Sequence, residues 1–301
     1  MKTVVIFGGS GFIGQNIIRR LAKKGYLIIV PHQTVINDSE LRLYGNVGQI
    51  IPLKFKKLSE NKIINIILGA DIVINLKTIW REKKHHSYEE NILNFNVQLV
   101  DLINRTNKNS LFIFFSGIGV SKLSSSKRVN YIAQTEEHII NNIKSALIIR
   151  PSIVIGYDDQ FLRKILPIIK YFFLIPLFGD GGAKLQPVFV DDVAKAIEVV
   201  VEKDNKHSDI YELVGPEIFT YRSLYQFLSD SLGLKRKFIP ISFGLANIVV
   251  SIIEKTSLNL ITKDQLLLFK QDNISSNKYK NFKSLGISSN DIREIIKKII
   301  N

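Results

Sequence analysis

The sequence predicts an α/β protein: a Rossmann-type, doubly wound parallel sheet with a smaller, mostly helical C-terminal lobe. Three observations carry this expectation. The chain opens on a short apolar run, TVVIF at residues 3–7, followed at once by Gly8, Gly9, Ser10, Gly11, Phe12, Ile13 and Gly14. Beyond the glycines, Ile17, Ile18, Leu21 and Ala22 recur at helical spacing up to Gly25, so the segment reads as strand, tight turn, helix. Apolar strands then alternate with amphipathic helices up to residue 150, the signature of a parallel sheet, and after residue 150 helices predominate.

Gly8, Gly11 and Gly14 stand three residues apart, and each has a physical task. The first lets the chain leave the strand sharply. The second lets backbone approach a phosphate with no Cβ in the way, and the third lets the helix pack closely on the sheet. The helix then aims free N–H groups and the positive end of its dipole at an anion. A glycine turn placed between strand and helix therefore indicates a dinucleotide.

The second strand is expected at 27–30. An acid at its end would accept from the adenosine ribose hydroxyls of NAD. The residues there are Pro31, His32, Gln33 and Thr34, and the first acid, Asp38, stands too far along to be the obvious candidate. Without an acid a 2′-phosphate meets no repulsion, and His32 or Gln33 can donate to one. No arginine clamps it. This inclines the coenzyme toward NADP(H), with NAD(H) open. A third strand follows at 49–55 and a helix at 59–68. The fourth strand, at 71–76, should border the cofactor with its carboxyl end, which places Leu76 and Lys77 there. A charged loop at 80–88 precedes a long helix at 87–107. Residues 110–116, SLFIFFS, form an apolar central strand. A Ser/Lys-rich loop is expected at 123–130, a helix at 131–143 and a sixth strand at 146–149.

Beyond Arg150-Pro151, helices are expected at 160–171, 193–202, 220–232, 243–255, 262–271 and 291–300. Short strands at 188–190, 211–214 and 238–241 lie between them. The chain thus divides into a dinucleotide-binding part, 1–150, and a smaller lobe, 151–301, with no clean linker.

Composition removes several function classes. Cysteine is absent and the five histidines form no ligand spacing, so no metal site is expected. The net charge is +14, which suits either a basic solvated surface or attraction to anionic lipid or an acidic partner. No aromatic-basic interleaving favours nucleic acid. A strand at residue 3 leaves no room for a signal or transit peptide. No run reaches transmembrane length; the nearest, 165–178, is interrupted by Pro167, Lys170 and Pro176. The Lys/Asn/Ile bias suggests a bacterial protein, cytoplasmic or peripheral on the cytoplasmic face of the inner membrane.

Five features occur in order: the glycine turn, the strand ending at Ser116, Tyr131, RPSIVIG at 150–156 and PVFVDDVA at 187–194. Together they resemble the extended short-chain dehydrogenase/reductase superfamily over nearly the whole chain. YGNVGQIIP at 44–52, LFGDGGAKLQPVFV at 177–190, YELVGPE at 211–217 and TKDQLLLFKQDN at 262–273 resemble one atypical branch. That branch holds the nucleotide-binding accessory subunit family of respiratory complex I (NADH:ubiquinone oxidoreductase) and its alphaproteobacterial relatives. The resemblance implies cofactor contacts at the backbone of Gly8 to Gly14, at His32 and Gln33, Leu76 and Lys77, Ser116, Tyr131, and Pro151, Ser152 and Ile153.

The superfamily's hydride chemistry uses a tyrosine, a lysine four residues on that lowers its pKa, and a serine or threonine after the fifth strand. Tyr131 is present, but Thr135 stands where the lysine belongs. The serine position falls at Gly117 or Ile118, with Ser116 as a substitute. No catalytic residue is therefore assigned, and Tyr131 is a vestigial candidate. The branch implies a structural role for bound NADPH. The leading expectation is a non-catalytic NAD(P)(H)-binding protein with a structural or assembly role on a membrane respiratory complex. Residues 165–178 and 243–253 are its docking surfaces, unless they are buried between the lobes. On this reading a lysine placed at 135 leaves function untouched, whereas in an enzyme it should matter. The alternatives are an NAD(P)-dependent reductase, epimerase or dehydratase with a rearranged site, acting on a quinone precursor, and a sensor whose bound nucleotide gates partner binding.

Overall fold

The computed structural model describes residues 1–84, 86–107, 109–203, 207–254 and 261–300. Seven parallel strands form the central sheet: β1 (Thr3–Phe7), β2 (Leu27–His32), β3 (Ile50–Lys54), β4 (Ile72–Asn75), β5 (Leu111–Phe115), β6 (Ala146–Pro151) and a late strand, Asp209–Leu213. Their order runs from the late strand through β6, β5, β4 and β1 to β2 and β3. It reverses between β1 and β4, and ligands bind at such a switch point.

Strand alternation builds the two core layers. Val4, Ile6, Ile28, Val30, Ile72 and Ile74 face one side, against Ile17, Ile18 and Leu21 of α1 (Phe12–Lys23). Val5, Phe7, Val73, Phe112 and Phe114 face the other. There they meet α3 (Asn61–Leu68), α4 (Phe95–Thr106) and α5 (Lys127–Asn142); α2 is the short helix Asp38–Arg42. Both faces are dry, so the strands read as continuous apolar runs.

The chain after β6 continues with β7 (Val154–Ile155), α6 (Gln160–Tyr171), β8 (Leu174–Phe178), β9 (Lys184–Leu185), β10 (Val188–Phe189), α7 (Val190–Glu202), β11 (Asp209–Leu213) and β12 (Phe219–Thr220). Then come α8 (Tyr221–Ser231), β13 (Lys237–Ile241), α9 (Phe243–Ile253), α10 (Lys263–Leu268) and α11 (Ile292–Ile300). Three two-stranded ribbons, β7 with β10, β9 with β12 and β8 with β13, join α6, α8 and α11 around a second core of Leu162, Ile169, Leu224, Leu228, Ile292 and Ile296. Among the described residues no helix is long and apolar enough to cross a membrane.

Several local expectations change. The second strand runs on to His32. The segment expected as a loop at 123–130 contains the start of α5, because the Ser126 hydroxyl accepts from the Val129 N–H and caps the helix. The helix expected over 87–107 is divided into a π-helical turn, Glu89–Asn94, and α4. The helix expected at 262–271 is the shorter α10, and the end expected at residue 255 for the preceding helix lies outside the described residues, as does His85.

The largest difference concerns the division at residue 150. The strand expected in the second lobe is β11, which extends the main sheet in parallel beside β6. α7 lies against α1, where Arg20 donates to Asp191 at 2.8 and 2.7 Å and to Glu198 at 2.8 Å. α7 and β11 therefore complete the Rossmann layers, and β6 gains cover on an edge that would otherwise be open.

Candidate dinucleotide cleft

The glycine turn is held by sterics. Gly8 has φ +77°, and a Cβ there would stand 2.9 Å from backbone atoms of Leu76 and Lys77. A Cβ on Gly14 would stand 2.6 Å from the Cα and carbonyl oxygen of Gly9, so α1 touches the turn backbone to backbone. Gln15 braces the loop by donating to the Ser10 carbonyl at 3.0 Å. No side chain caps α1 at Gly11, which leaves its first-turn N–H groups for an anion. Phe12 and Ile13 turn their side chains into packing: Ile13 joins the core, and the Phe12 ring would clash with a Cβ on Gly156.

At the end of β2 the fold changes the picture drawn from the sequence. Gln33, exposed, donates one amide N–H to the Lys56 carbonyl at 2.9 Å. His32 Nδ1 lies 2.8 Å from the Thr34 carbonyl. Its Nε2 is buried without a hydrogen bond, 3.6 Å from Asp38 Oδ1. Asp38, six residues along in sequence, is adjacent in space because α2 starts there and turns the chain back.

At the end of β4, Asn75 donates to Asn96 at 2.7 Å, and Asn96 donates to the Ile92 carbonyl at 2.6 Å. The Asn75 side-chain oxygen accepts from the Lys77 N–H at 2.9 Å. The Lys77 ammonium sits 3.9 Å from the Phe95 ring centroid. Burial pushes its pKa down to about 8, against the opposing pull of Glu90. At the end of β5 the Ser116 N–H donates to the Ile149 carbonyl at 2.8 Å, while its hydroxyl is buried with no partner.

Tyr131 and Thr135 of α5 are engaged with the π-helical turn. The Tyr131 hydroxyl lies 3.5 Å from a Glu89 carboxylate oxygen, and desolvation followed by that carboxylate raises its pKa. Thr135 is fully buried, and its hydroxyl donates to the Tyr131 carbonyl at 2.8 Å. A lysine at 135 would thus enter the packing between α5 and the turn. One turn earlier, the buried Arg128 stacks 3.8 Å from the Trp80 ring centroid and donates to the Ile79 carbonyl and Thr78 hydroxyl. Burial pushes its pKa down to about 10. Ser126 donates to Asp264 at 2.7 Å, and Gln265 donates to the Trp80 carbonyl at 3.2 Å. The loop after β4, the start of α5 and α10 are thereby fastened together.

Past β6, the Pro151 carbonyl accepts from the Ile118 N–H at 3.1 Å. The Ser152 hydroxyl donates to Asn273 at 2.6 Å, and Ile153 packs on the second core. Arg150 is tied to Glu136 through two bonds of 2.9 and 2.5 Å.

The sequence profile of the NAD dependent epimerase/dehydratase family matches residues 4–213, which ends with the last strand of the main sheet. The chain belongs to this family. As a member it is similar to the Arabidopsis thaliana protein "NADH dehydrogenase [ubiquinone] 1 alpha subcomplex subunit 9, mitochondrial", with 31% identity over 243 residues, 80% of this chain and 60% of that protein. The Dictyostelium discoideum protein of the same name is 26% identical over 293 residues, 96% of this chain and 81% of that one. The Neurospora crassa "NADH-ubiquinone oxidoreductase 40 kDa subunit" is 23% identical over 292 residues, 96% of this chain and 76% of that one. This chain spans about three fifths of the Arabidopsis relative's length. Two solved structures share the fold: dTDP-glucose 4,6-dehydratase from Bacillus anthracis in complex with NAD (TM-score 0.73, 14% identity, 100% of this chain and 96% of that one), and MoeE5 in complex with UDP-glucuronic acid and NAD (TM-score 0.71, 12% identity, 99% and 97%).

For this family member, the residues expected at the site divide in two. Gly8, Gly9, Gly11, Gly14, Leu76 and Lys77 meet at one edge of the sheet, and His32 and Ser116 stand at the carboxyl ends of neighbouring strands. The side chains of Ser152 and Thr135 are spent inside the fold, while Gln33 is exposed and holds the Lys56 carbonyl. Asn75, Asn96, Trp80 and Arg128 went unnoticed in the sequence, although an asparagine ending an otherwise apolar strand was a signal for the first. The clash-free cradle at Gly8 and Gly14, the uncapped helix and the unpartnered Ser116 hydroxyl fit a dinucleotide.

Proposed function

We propose that the chain holds NAD(H) or NADP(H) as a structural cofactor and serves as an accessory or assembly subunit of a membrane-bound NADH:ubiquinone oxidoreductase. One observation carries the non-catalytic part. The phosphate cradle is kept, while Thr135 is buried in packing and the Tyr131 hydroxyl faces the Glu89 carboxylate rather than a cation. Desolvation and then the Glu89 carboxylate raise the Tyr131 pKa, whereas an acid–base catalyst is tuned toward the working pH. The names of the curated relatives support the complex I part. A bound dinucleotide would supply hydride chemistry to an enzyme; in this chain the glycine turn and Lys77 only bind and orient it.

The second lobe supports docking at an anionic membrane surface beside that complex. Leu245, Ile248, Val249 and Ile252 form one stripe of α9, and Tyr171 to Leu174 and Ile239 are further exposed apolar side chains on and beside the β8–β13 ribbon. These side chains are from 42% to 83% exposed. Residues 160–178 and 231–253 contain no acid, and Arg163, Lys164, Lys170, Lys235, Arg236 and Lys237 flank the face. Apolar and basic groups together match anionic lipid, which supports the reading of a peripheral site on the cytoplasmic face of a bacterial inner membrane.

The alternative, a reductase, epimerase or dehydratase with a rearranged site, draws on the unpartnered Ser116 hydroxyl and on Lys77 at the same sheet edge. One experiment separates the two. The purified protein is denatured, released nucleotide is identified by mass spectrometry, and absorbance of the reduced nicotinamide is followed with quinones and sugar nucleotides. Stoichiometric nucleotide that no substrate oxidises supports the structural reading, and turnover overturns it. For docking, the protein should sediment with phosphatidylglycerol vesicles and not with phosphatidylcholine vesicles. I248E/I252E should abolish this without changing the melting temperature, and equal sedimentation of the variant refutes the surface.

A further inference from the structure

We infer that the guanidinium of Arg128, together with the Thr78 hydroxyl, forms a binding site for the carboxylate or phosphate group of a small molecule, between the loop after β4 and the start of α5. The inference goes beyond the dinucleotide reading and does not depend on it.

Arg128 is 9% exposed. Its Nε donates to the Ile79 carbonyl at 3.0 Å and its Nη2 to the Thr78 hydroxyl at 3.1 Å. A guanidinium carries five N–H donors, and among the described residues this one makes no other hydrogen bond. Nη1 is therefore without a partner. With the second hydrogen of Nη2 it presents the planar fork that grips a carboxylate or phosphate through two bonds.

The charge lacks a counter-ion as well. Among the described residues no carboxylate lies within 4.0 Å of the guanidinium. Desolvation lowers the Arg128 pKa, while Tyr88 and Asp264 act on it in the opposite sense from a distance. Both are engaged elsewhere: Asp264 accepts from the Ser126 hydroxyl at 2.7 Å, and Tyr88 donates to the Trp80 carbonyl at 3.2 Å. A buried cation without a contacting anion costs stability, and a bound anion offsets that cost.

A ligand can reach this place. Thr78 is exposed and Trp80 is 54% exposed, and the guanidinium touches both, 3.8 Å from the Trp80 ring centroid. The fully buried side-chain atoms without a partner, among the described residues, are His32 Nε2, Ser116 Oγ and His138 Nε2; Arg128 Nη1 has no partner either but keeps contact with solvent. The Thr78 hydroxyl accepts from Nη2 and donates to no described residue, so its proton is free for an anion oxygen. The loop is fixed in advance. Tyr88 and Gln265 both donate to the Trp80 carbonyl, and Arg81 donates to the Glu254 carbonyl at 2.8 Å, so the donors are ordered before the ligand arrives.

Trp80 is the single tryptophan of the chain, and its fluorescence reports on the guanidinium stacked against it. The protein as purified is titrated with sodium phosphate and sodium acetate, against sodium chloride at equal ionic strength. Calorimetry with phosphate is then run on wild type, Thr78→Val and Arg128→Gln. Wild type should give a saturable fluorescence change with phosphate or acetate and none with chloride. Thr78→Val should keep its melting temperature and bind roughly threefold to tenfold more weakly, the worth of one hydrogen bond. Arg128→Gln should not bind. Absence of a saturable change in wild type overturns the site. So does equal affinity in Thr78→Val, or retained binding in Arg128→Gln, because either places the anion elsewhere. If Arg128→Gln does not fold, Thr78→Val decides. The dinucleotide reading is tested separately, by nucleotide release, and stands or falls on that result.

Discussion

Replacing Lys77 by methionine should make the empty protein more stable and the loaded protein harder to form. The ammonium is largely buried and packed on Phe95, and among the described residues Glu90 is the carboxylate that acts on it. Burial lowers its pKa from the ordinary 10.5 to about 8, and this corresponds to at most about 3 kcal/mol against folding at pH 7. The sign follows from proton counting. Between pH 8 and 10.5 the unfolded chain binds more protons than the folded one, so this group's contribution to stability rises with pH across that window. Below pH 8 the penalty is fully present, and above 10.5 it is gone. Methionine keeps the length and removes the charge. Urea unfolding at pH 7 should therefore show Lys77→Met more stable than wild type by up to about 3 kcal/mol, with the gap shrinking at pH 9.5. Calorimetric titration should show dinucleotide affinity reduced on the order of tenfold or more, through loss of a charge-assisted contact. A variant less stable than wild type at pH 7, or a gap that is constant with pH, would refute the account of Lys77 as a buried, uncompensated cation.

Two further outcomes follow from the packing. Gly14→Ala brings a Cβ to 2.6 Å from the Gly9 backbone, so helix and turn must separate; stability should drop on the order of 2–3 kcal/mol and nucleotide binding should be lost, read by urea midpoint and titration. Thr135→Lys puts an ammonium where a fully buried hydroxyl now sits. It should cost on the order of 3–5 kcal/mol and should not produce oxidoreductase activity; a variant with the wild-type melting temperature would show that position 135 opens to the cleft instead.

The glycine turn was legible because its causes are local. Gly8 must take a positive φ, Gly14 must let α1 touch the turn, and both demands concern residues within one strand–turn–helix unit. The buried strands were legible for a similar reason: a run such as LFIFF can only be dry on both faces. The α9 stripe was visible as an apolar segment, but periodicity alone says that a helix has an apolar face and not what covers it; only the packed lobe shows that Leu245, Ile248, Val249 and Ile252 remain outside.

What needed the tertiary structure was every pairing across sequence distance. Nothing near β11 says that it leaves the second lobe to pair with β6, because a short apolar strand fits any open edge. Four-residue spacing from Tyr131 to Thr135 marks one helix face but not its rotation, and the rotation, set by Ile132 and Ile139 in the core, turns Thr135 inward. Asp38 looked remote because separation along a chain overstates distance whenever a helix folds the segment back. The sequence by itself determined the phosphate cradle, whose sterics lie within a few residues. The folded chain decided which acid lies beside His32 and which side chains are taken up in packing, since those depend on how separate segments share one sheet edge.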